Sequence, residues 1–127
     1  MRFADTSFWF GLQERRDQRH EQARALGRLV TTNHVLCETW TLLRRRSGHP
    51  AAVGFLDKLL ALPDVQIVHV DEATEAEAWR WFRARGEREY SFVDATSFAV
   101  MRRRRIREAL AFDGKFNAGR FVEVRAA

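Results

Sequence analysis

Four carboxylates, far apart in the chain, hold positions from which they could act together. Asp5 follows the short apolar stretch "RFA", Glu38 lies within "NHVLCETWTLLRRRSG", Asp94 opens "FVDATSFAVM", and Asp113 follows "ALAF". Each has an ordinary explanation. Asp5 fits a helix cap, Glu38 fits the solvent rim of a helix, and Ser91 with Asp94 has capping-box spacing. Asp113-Gly114 is a frequent turn pair. These explanations treat the residues singly and leave open why all four fall where one pocket can form. Carboxylates gathered in a cleft raise one another's pKa, and a divalent cation relieves that repulsion. Mg²⁺ prefers oxygen ligands, keeps several waters and needs only one or two direct carboxylates. Such a metal lowers the pKa of a bound water and offsets charge on a phosphodiester under attack. The chemistry these residues allow is metal-assisted hydrolysis of a nucleic-acid backbone.

Positioning the acids falls to a regular alternation of elements. Strands are expected at residues 2–4, 28–32, 65–70 and 109–112, with a fifth at 120–124. Helices are expected at 7–12, in "RDQRHEQARALG" up to Gly27, from Asn33 as cap to Gly48, at 51–62, from Asp71 to Arg85, and from Phe92 to about Arg104. Short apolar strands separated by helices imply a mostly parallel sheet of four to five strands in a three-layer α/β/α sandwich. In such sheets ligands bind beyond the carboxyl ends of the strands. Asp5 and Asp113 directly follow strands and belong to that edge. Asp94 shares a helical face with Phe98 and Met101, a face expected to be buried. Glu38 has Val35 three residues before it and Leu42 four after, so it points inward or along the edge of the core.

The 127 residues suit one domain spanning 1–127, and a hydrophobic fraction of 46% suffices for a core without staples. The lone cysteine, Cys37, excludes an internal disulfide and fits a cytoplasmic protein. No apolar run approaches a membrane span, and the acid at position 5 argues against a signal peptide. The net charge is +5, almost all of the positive charge being arginine. Arginine suits phosphate, although the runs Arg44–Arg46 and Arg102–Arg105 also complement helix dipoles. His20, His34, His49 and His69 lack zinc-ligand spacing, and no phosphate-binding glycine loop is present.

Taken together, the N-terminal strand followed by Asp5-Thr6-Ser7, Glu38 in "LCETWTLLRRRSG", "YSFVDATSFAVM" and "ALAFDGKF" resemble the PIN-domain family, most closely its VapC-type toxins of toxin–antitoxin modules. The resemblance spans essentially the whole chain. It implies a Mg²⁺- or Mn²⁺-dependent endoribonuclease whose acids are Asp5, Glu38, Asp94 and Asp113. On this resemblance Asp5 and Asp94 bind the metal most directly, while Glu38 and Asp113 orient its water or a second ion. Water attacks in line, leaving a 5′-phosphate and a 3′-hydroxyl. Thr6 and Ser7 occupy the small hydroxyl positions that support Asp5. Some relatives carry a further acid where this chain has Lys115 and Asn117, which removes a ligand for a second metal and leaves Lys115 to contact phosphate. The resemblance also implies a cognate VapB-type antitoxin and a homodimer, with Trp9, Trp40, Trp79 and Trp81 serving either as anchors or as core.

Two other readings compete. A phosphoacceptor receiver domain would use Asp5, Asp71 and Lys115, but it leaves Glu38 and Asp94 without a task. A non-catalytic RNA-binding or protein-interaction module of the same fold would not require all four acids.

Overall fold

A computed structural model of the chain describes residues 1–14 and 27–124. The helix expected in "RDQRHEQARALG" lies outside the described residues except for Gly27. The described elements run β1 (Arg2–Ala4), α1 (Thr6–Glu14), β2 (Leu29–Thr32), α2 (Asn33–Ser47), α3 (His49–Ala61), β3 (Val65–Val68), α4 (Glu72–Arg83), α5 (Phe92–Arg104), β4 (Glu108–Leu110), α6 (Lys115–Ala118) and β5 (Val122–Val124). The expected alternation holds, with most strands shorter than their apolar runs.

The strands form one five-stranded sheet in the order β3-β2-β1-β4-β5. Every pairing is parallel. Helices flank the sheet, giving the three-layer α/β/α sandwich. The chain leaves central β1 for β2 and β3 on one side, then returns through β4 and β5 on the other. The order therefore reverses between β1 and β4, and a crevice opens at their carboxyl ends. β1 is buried because it is central: Phe3 and Ala4 are inaccessible to solvent.

Local signals fix the helix starts. Thr32, not Asn33, caps α2: its hydroxyl accepts from the Val35 N–H at 3.0 Å. Asn33 instead accepts from the Val70 N–H at 2.9 Å, tying the end of β3 to the start of α2. Asp71 caps α4 as expected, accepting from the Thr74 N–H at 2.8 Å and the Thr74 hydroxyl at 2.6 Å. Gly48, at φ 92°, turns the chain from α2 into α3, where Pro50 suits the first turn.

α5 is buried on every side from Asp94 to Met101. One side, Ala95 and Ala99, meets Ala78 of α4, small residues that let the two helices approach closely. Another side carries Phe98, whose ring lies 5.0 Å from Phe116, 5.1 Å from Trp81, 5.4 Å from Phe121 and 5.7 Å from Tyr90. This cluster joins α4, α5, α6 and the approach to β5. Phe116 adjoins Lys115, so the same packing places that lysine.

At the other end of α5, Arg103 Nε lies 2.7 Å from Glu77 Oε2 and Arg102 Nε 3.8 Å from Glu77 Oε1. Arg102 also lies over the Trp81 ring. These two arginines clamp α5 to α4. Of the four tryptophans, Trp9 is core, Trp40 and Trp81 are half-buried, and Trp79 is exposed. Phe98→Ala is expected to destabilise the protein by about 3–5 kcal/mol, because it empties a fully enclosed aromatic site. Urea denaturation monitored by tryptophan fluorescence measures this, and a loss below about 1 kcal/mol contradicts the central role of the cluster.

Candidate active site

β1 ends at Ala4, and the next residue turns its carboxylate into the crevice beyond the sheet. Asp5 is only 2% exposed. Its backbone N–H donates to Leu110 O at 3.1 Å, fastening it to the end of β4. Its carbonyl accepts from the N–H groups of Phe8 and Trp9, both at 3.1 Å, which starts α1. Ser7 holds the side chain: its hydroxyl donates to Asp5 Oδ2 at 3.0 Å, and its N–H reaches the same oxygen at 3.3 Å. The Ser7 hydroxyl accepts in turn from the Phe112 N–H at 3.0 Å. One small hydroxyl thus links the ends of both strands at the crevice.

Asp94 fulfils the capping-box expectation. Asp94 Oδ2 accepts from the Ser91 N–H at 2.9 Å, and the Ser91 hydroxyl accepts from the Asp94 N–H at 3.0 Å. The same Oδ2 lies 3.2 Å from Lys115 Nζ. Asp113 makes the anticipated turn, its Oδ1 accepting from the Lys115 N–H at 3.1 Å while Gly114 takes φ 78°. Glu38 is half-buried on α2. The Thr6 hydroxyl oxygen is buried without a hydrogen-bond partner of good geometry, yet it lies against Glu38 and lowers that acid's pKa.

These groups act on one another electrostatically. Burial, then the charges of Asp113 and Asp94, push the Asp5 pKa from 3.8 to about 7, against smaller opposition from the Thr6 N–H and Ser7. Partial burial raises Glu38, and Asp94 and Asp113 add to the rise while Thr6 and Lys115 oppose it. Burial pulls Lys115 down, but Asp94, Asp113 and Asp5 together outweigh it and hold the ammonium above its ordinary value. All four predicted acids and Lys115 therefore share one field. Sequence reasoning placed Lys115 against phosphate; the structure pairs it with Asp94.

A metal ion fits this arrangement in a particular way. Among the described residues no group of three or more His, Cys, Asp and Glu side chains is close enough to hold an ion directly. The donor set is all hard oxygen, suited to Mg²⁺ or Mn²⁺ rather than zinc. The excess of negative charge around Asp5 suits a cation that brings its own water.

The remaining candidates resolve differently. Asp71 caps α4 with Oδ1 and is not among the charges that act on Asp5, so the pairing a receiver domain would need is not formed. His34 lies 3.6 Å from Glu75 and beside Phe92, and His49 packs edge-on to Trp40. His20 falls outside the described residues.

Residues 2–122 match the family model described as "PIN domain". The chain belongs to the PIN-domain family, among its VapC-type ribonuclease toxins. It is 52% identical to a Mycobacterium tuberculosis protein named 23S rRNA-specific endonuclease VapC20, over 98% of each chain. It is 30% identical to a VapC ribonuclease of Archaeoglobus fulgidus, over 89% of this chain and 77% of that one. The crystal structure of Mycobacterium tuberculosis VapC20, described as a sarcin-ricin loop cleaving toxin, superposes with a TM-score of 0.87 at 50% identity, over 99% of this chain and 100% of that one. PIN-domain VapC nucleases are in general divalent-metal dependent, in keeping with the donor set here. Among the described residues no helix is long and apolar enough to cross a membrane.

The raised Asp5 pKa has a definite sign for stability. Folding favours the protonated acid, so stability is fullest below pH 3.8 for this group and falls as pH rises toward about 7. At pH 8 without divalent metal, Asp5→Asn is expected to be more stable than wild type by about 1–3 kcal/mol. Mg²⁺ or Mn²⁺ should raise the melting temperature of wild type and not of the variant. Thermal melts in EDTA and in metal at pH 5 and pH 8 provide the check; equal metal responses would remove Asp5 from the binding set.

Proposed function

We propose that this VapC-type endoribonuclease cuts 23S rRNA in its sarcin–ricin stem-loop, using Asp5, Glu38, Asp94 and Asp113 as its hydrolytic site. The substrate assignment rests on 52% identity across nearly the full length of an enzyme named for 23S rRNA. The observation carrying the hydrolytic assignment is the convergence of Asp94 and Asp113 charge on a buried Asp5 whose pKa rises to about 7. A catalytically idle module of this fold has no reason to maintain that repulsion.

Asp5 and Asp94 would hold Mg²⁺ or Mn²⁺ most directly, with Glu38 and Asp113 turned toward its waters. The bound ion supplies a water of lowered pKa and offsets charge on the phosphate. Ser7 keeps Asp5 in one orientation by its bond to Oδ2 and its anchor on Phe112. Glu38 accepts a hydrogen bond from the attacking water, and the neighbouring Thr6 hydroxyl braces it. Lys115 exchanges its contact with Asp94 for a non-bridging phosphate oxygen as substrate enters. The water oxygen bonds to phosphorus as Glu38 takes its proton, the P–O3′ bond breaks, and the leaving 3′ oxygen takes a proton from solvent water. The products are a 5′-phosphate and a 3′-hydroxyl.

A cognate VapB-type antitoxin would silence this site by presenting a basic side chain to the acids, as Lys115 already does within the chain. The active form is a cytoplasmic homodimer, where ribosomes are within reach.

Asp5→Asn and Asp94→Asn are each expected to lower RNA cleavage about 100-fold or more while circular dichroism stays native. EDTA should do the same to wild type. Primer extension on ribosomes treated with wild type locates the cut. Undiminished cleavage by both variants would falsify the site; a cut confined to transfer or messenger RNA would move the substrate and leave the site standing.

A further inference from the structure

Beside the acids lies a second feature that hydrolysis does not use. A pocket of about 470 Å³ opens between α2 and the start of α5. Its α2 wall is a stripe at helical spacing: His34, Cys37, Thr41, Leu42 and Arg45, with Glu38 among them. Val93 closes it from α5. The opposite face of α2, Val35, Thr39 and Leu43, is buried in the core, so this stripe faces outward. Glu38 therefore belongs both to the pocket and to the charged crevice, and whatever fills the pocket sits beside the bond being cut.

We propose that this pocket receives the unpaired nucleobase next to the scissile phosphate, and so selects the RNA loop; the inference rests on the ribonuclease reading above. The volume is in the range of small-ligand sites and accommodates a nucleotide. Leu42 and Val93 offer apolar walls to a base face. His34 adds a ring whose centroid lies 6.1 Å from Phe92, and Phe92 continues to Trp79 at 4.3 Å. Trp79 is 50% exposed, so an aromatic ledge leads from the pocket mouth to solvent. Single-stranded RNA is gripped by such ledges because every base has a π-face. Charge points the same way. Of the three arginines of α2, Arg46 lies over Phe10, Arg44 and Arg45 line a neighbouring hollow, and only Arg45 also lines this pocket. A guanidinium at the rim suits the phosphate of a bound nucleotide.

Cys37, the only cysteine in the chain, is an exposed reporter inside the pocket. In the Asp94→Asn variant, a sarcin–ricin stem-loop RNA should slow N-ethylmaleimide labelling of Cys37 at least about fivefold, whereas polyphosphate, which has no bases, should not. Thr41→Trp fills the pocket from an exposed helical position. It should lower kcat/KM for the stem-loop about tenfold or more, mainly through KM, with Mg²⁺ stabilisation unchanged. Unaltered labelling with RNA together with full activity of Thr41→Trp overturns the pocket and leaves the ribonuclease reading intact. Cys37 shielding that appears without RNA and grows with protein concentration, with Thr41→Trp shifting the mass in light scattering, overturns it in favour of a subunit contact. If wild type cuts no RNA, the ribonuclease reading fails, and the labelling arm decides the pocket alone.

Discussion

The structure depends on holding negative charge in a place that resists it. Asp5 sits at the end of the central strand, screened from water, with Asp94 and Asp113 acting on it through a poorly screening medium. Left to itself the group would take up a proton or turn outward. Its readiness to take up a proton shows in the pKa raised to about 7, and it cannot turn outward because it is fastened on every side: its N–H to Leu110, its carbonyl to the first turn of α1, and its side chain to Ser7. The sheet order creates the crevice, and hydrogen bonds at the strand ends keep the carboxylate in it. Lys115 relieves part of the tension through Asp94, but a single ammonium faces four acids.

The ordinary and the functional readings of the acids turn out to be compatible. Asp94 closes a capping box and faces Lys115 with the same oxygen. Asp113 forms a turn and lends its charge to the crevice. A carboxylate offers about four lone-pair sites, so satisfying a helix start leaves capacity for a cation. Capping also makes the site stiff: a side chain that the backbone holds loses little freedom when it binds an ion.

The helix surfaces divide the labour. The inner face of α2 builds the core through Val35, Thr39 and Leu43, and its outer face lines a pocket that shares Glu38 with the acids. α5 has no exposed face from Asp94 to Met101, and its exposed end is engaged by Glu77 through Arg102 and Arg103. These arginines are explained by helix packing, whereas Arg45 on α2 is directed toward the pocket. Runs that look alike in the chain thus serve unlike ends.

By itself the sequence determined the layer architecture, because strand and helix periods differ and the apolar runs are short. It also singled out four candidate acids, because two of them directly follow strands and a parallel sheet directs such residues to one edge, where their charges act on one another. It could not fix that Thr32 rather than Asn33 caps α2, since both types suit the role and only the packing of β3 against α2 gives Asn33 another partner. Nor could it pair Lys115 with Asp94 or reveal the pocket behind Glu38. Those depend on how α6 and α2 approach α5 across residues distant in the chain. Local pattern selects residue types, but the distance between a charge and its partner exists only once the layers have packed.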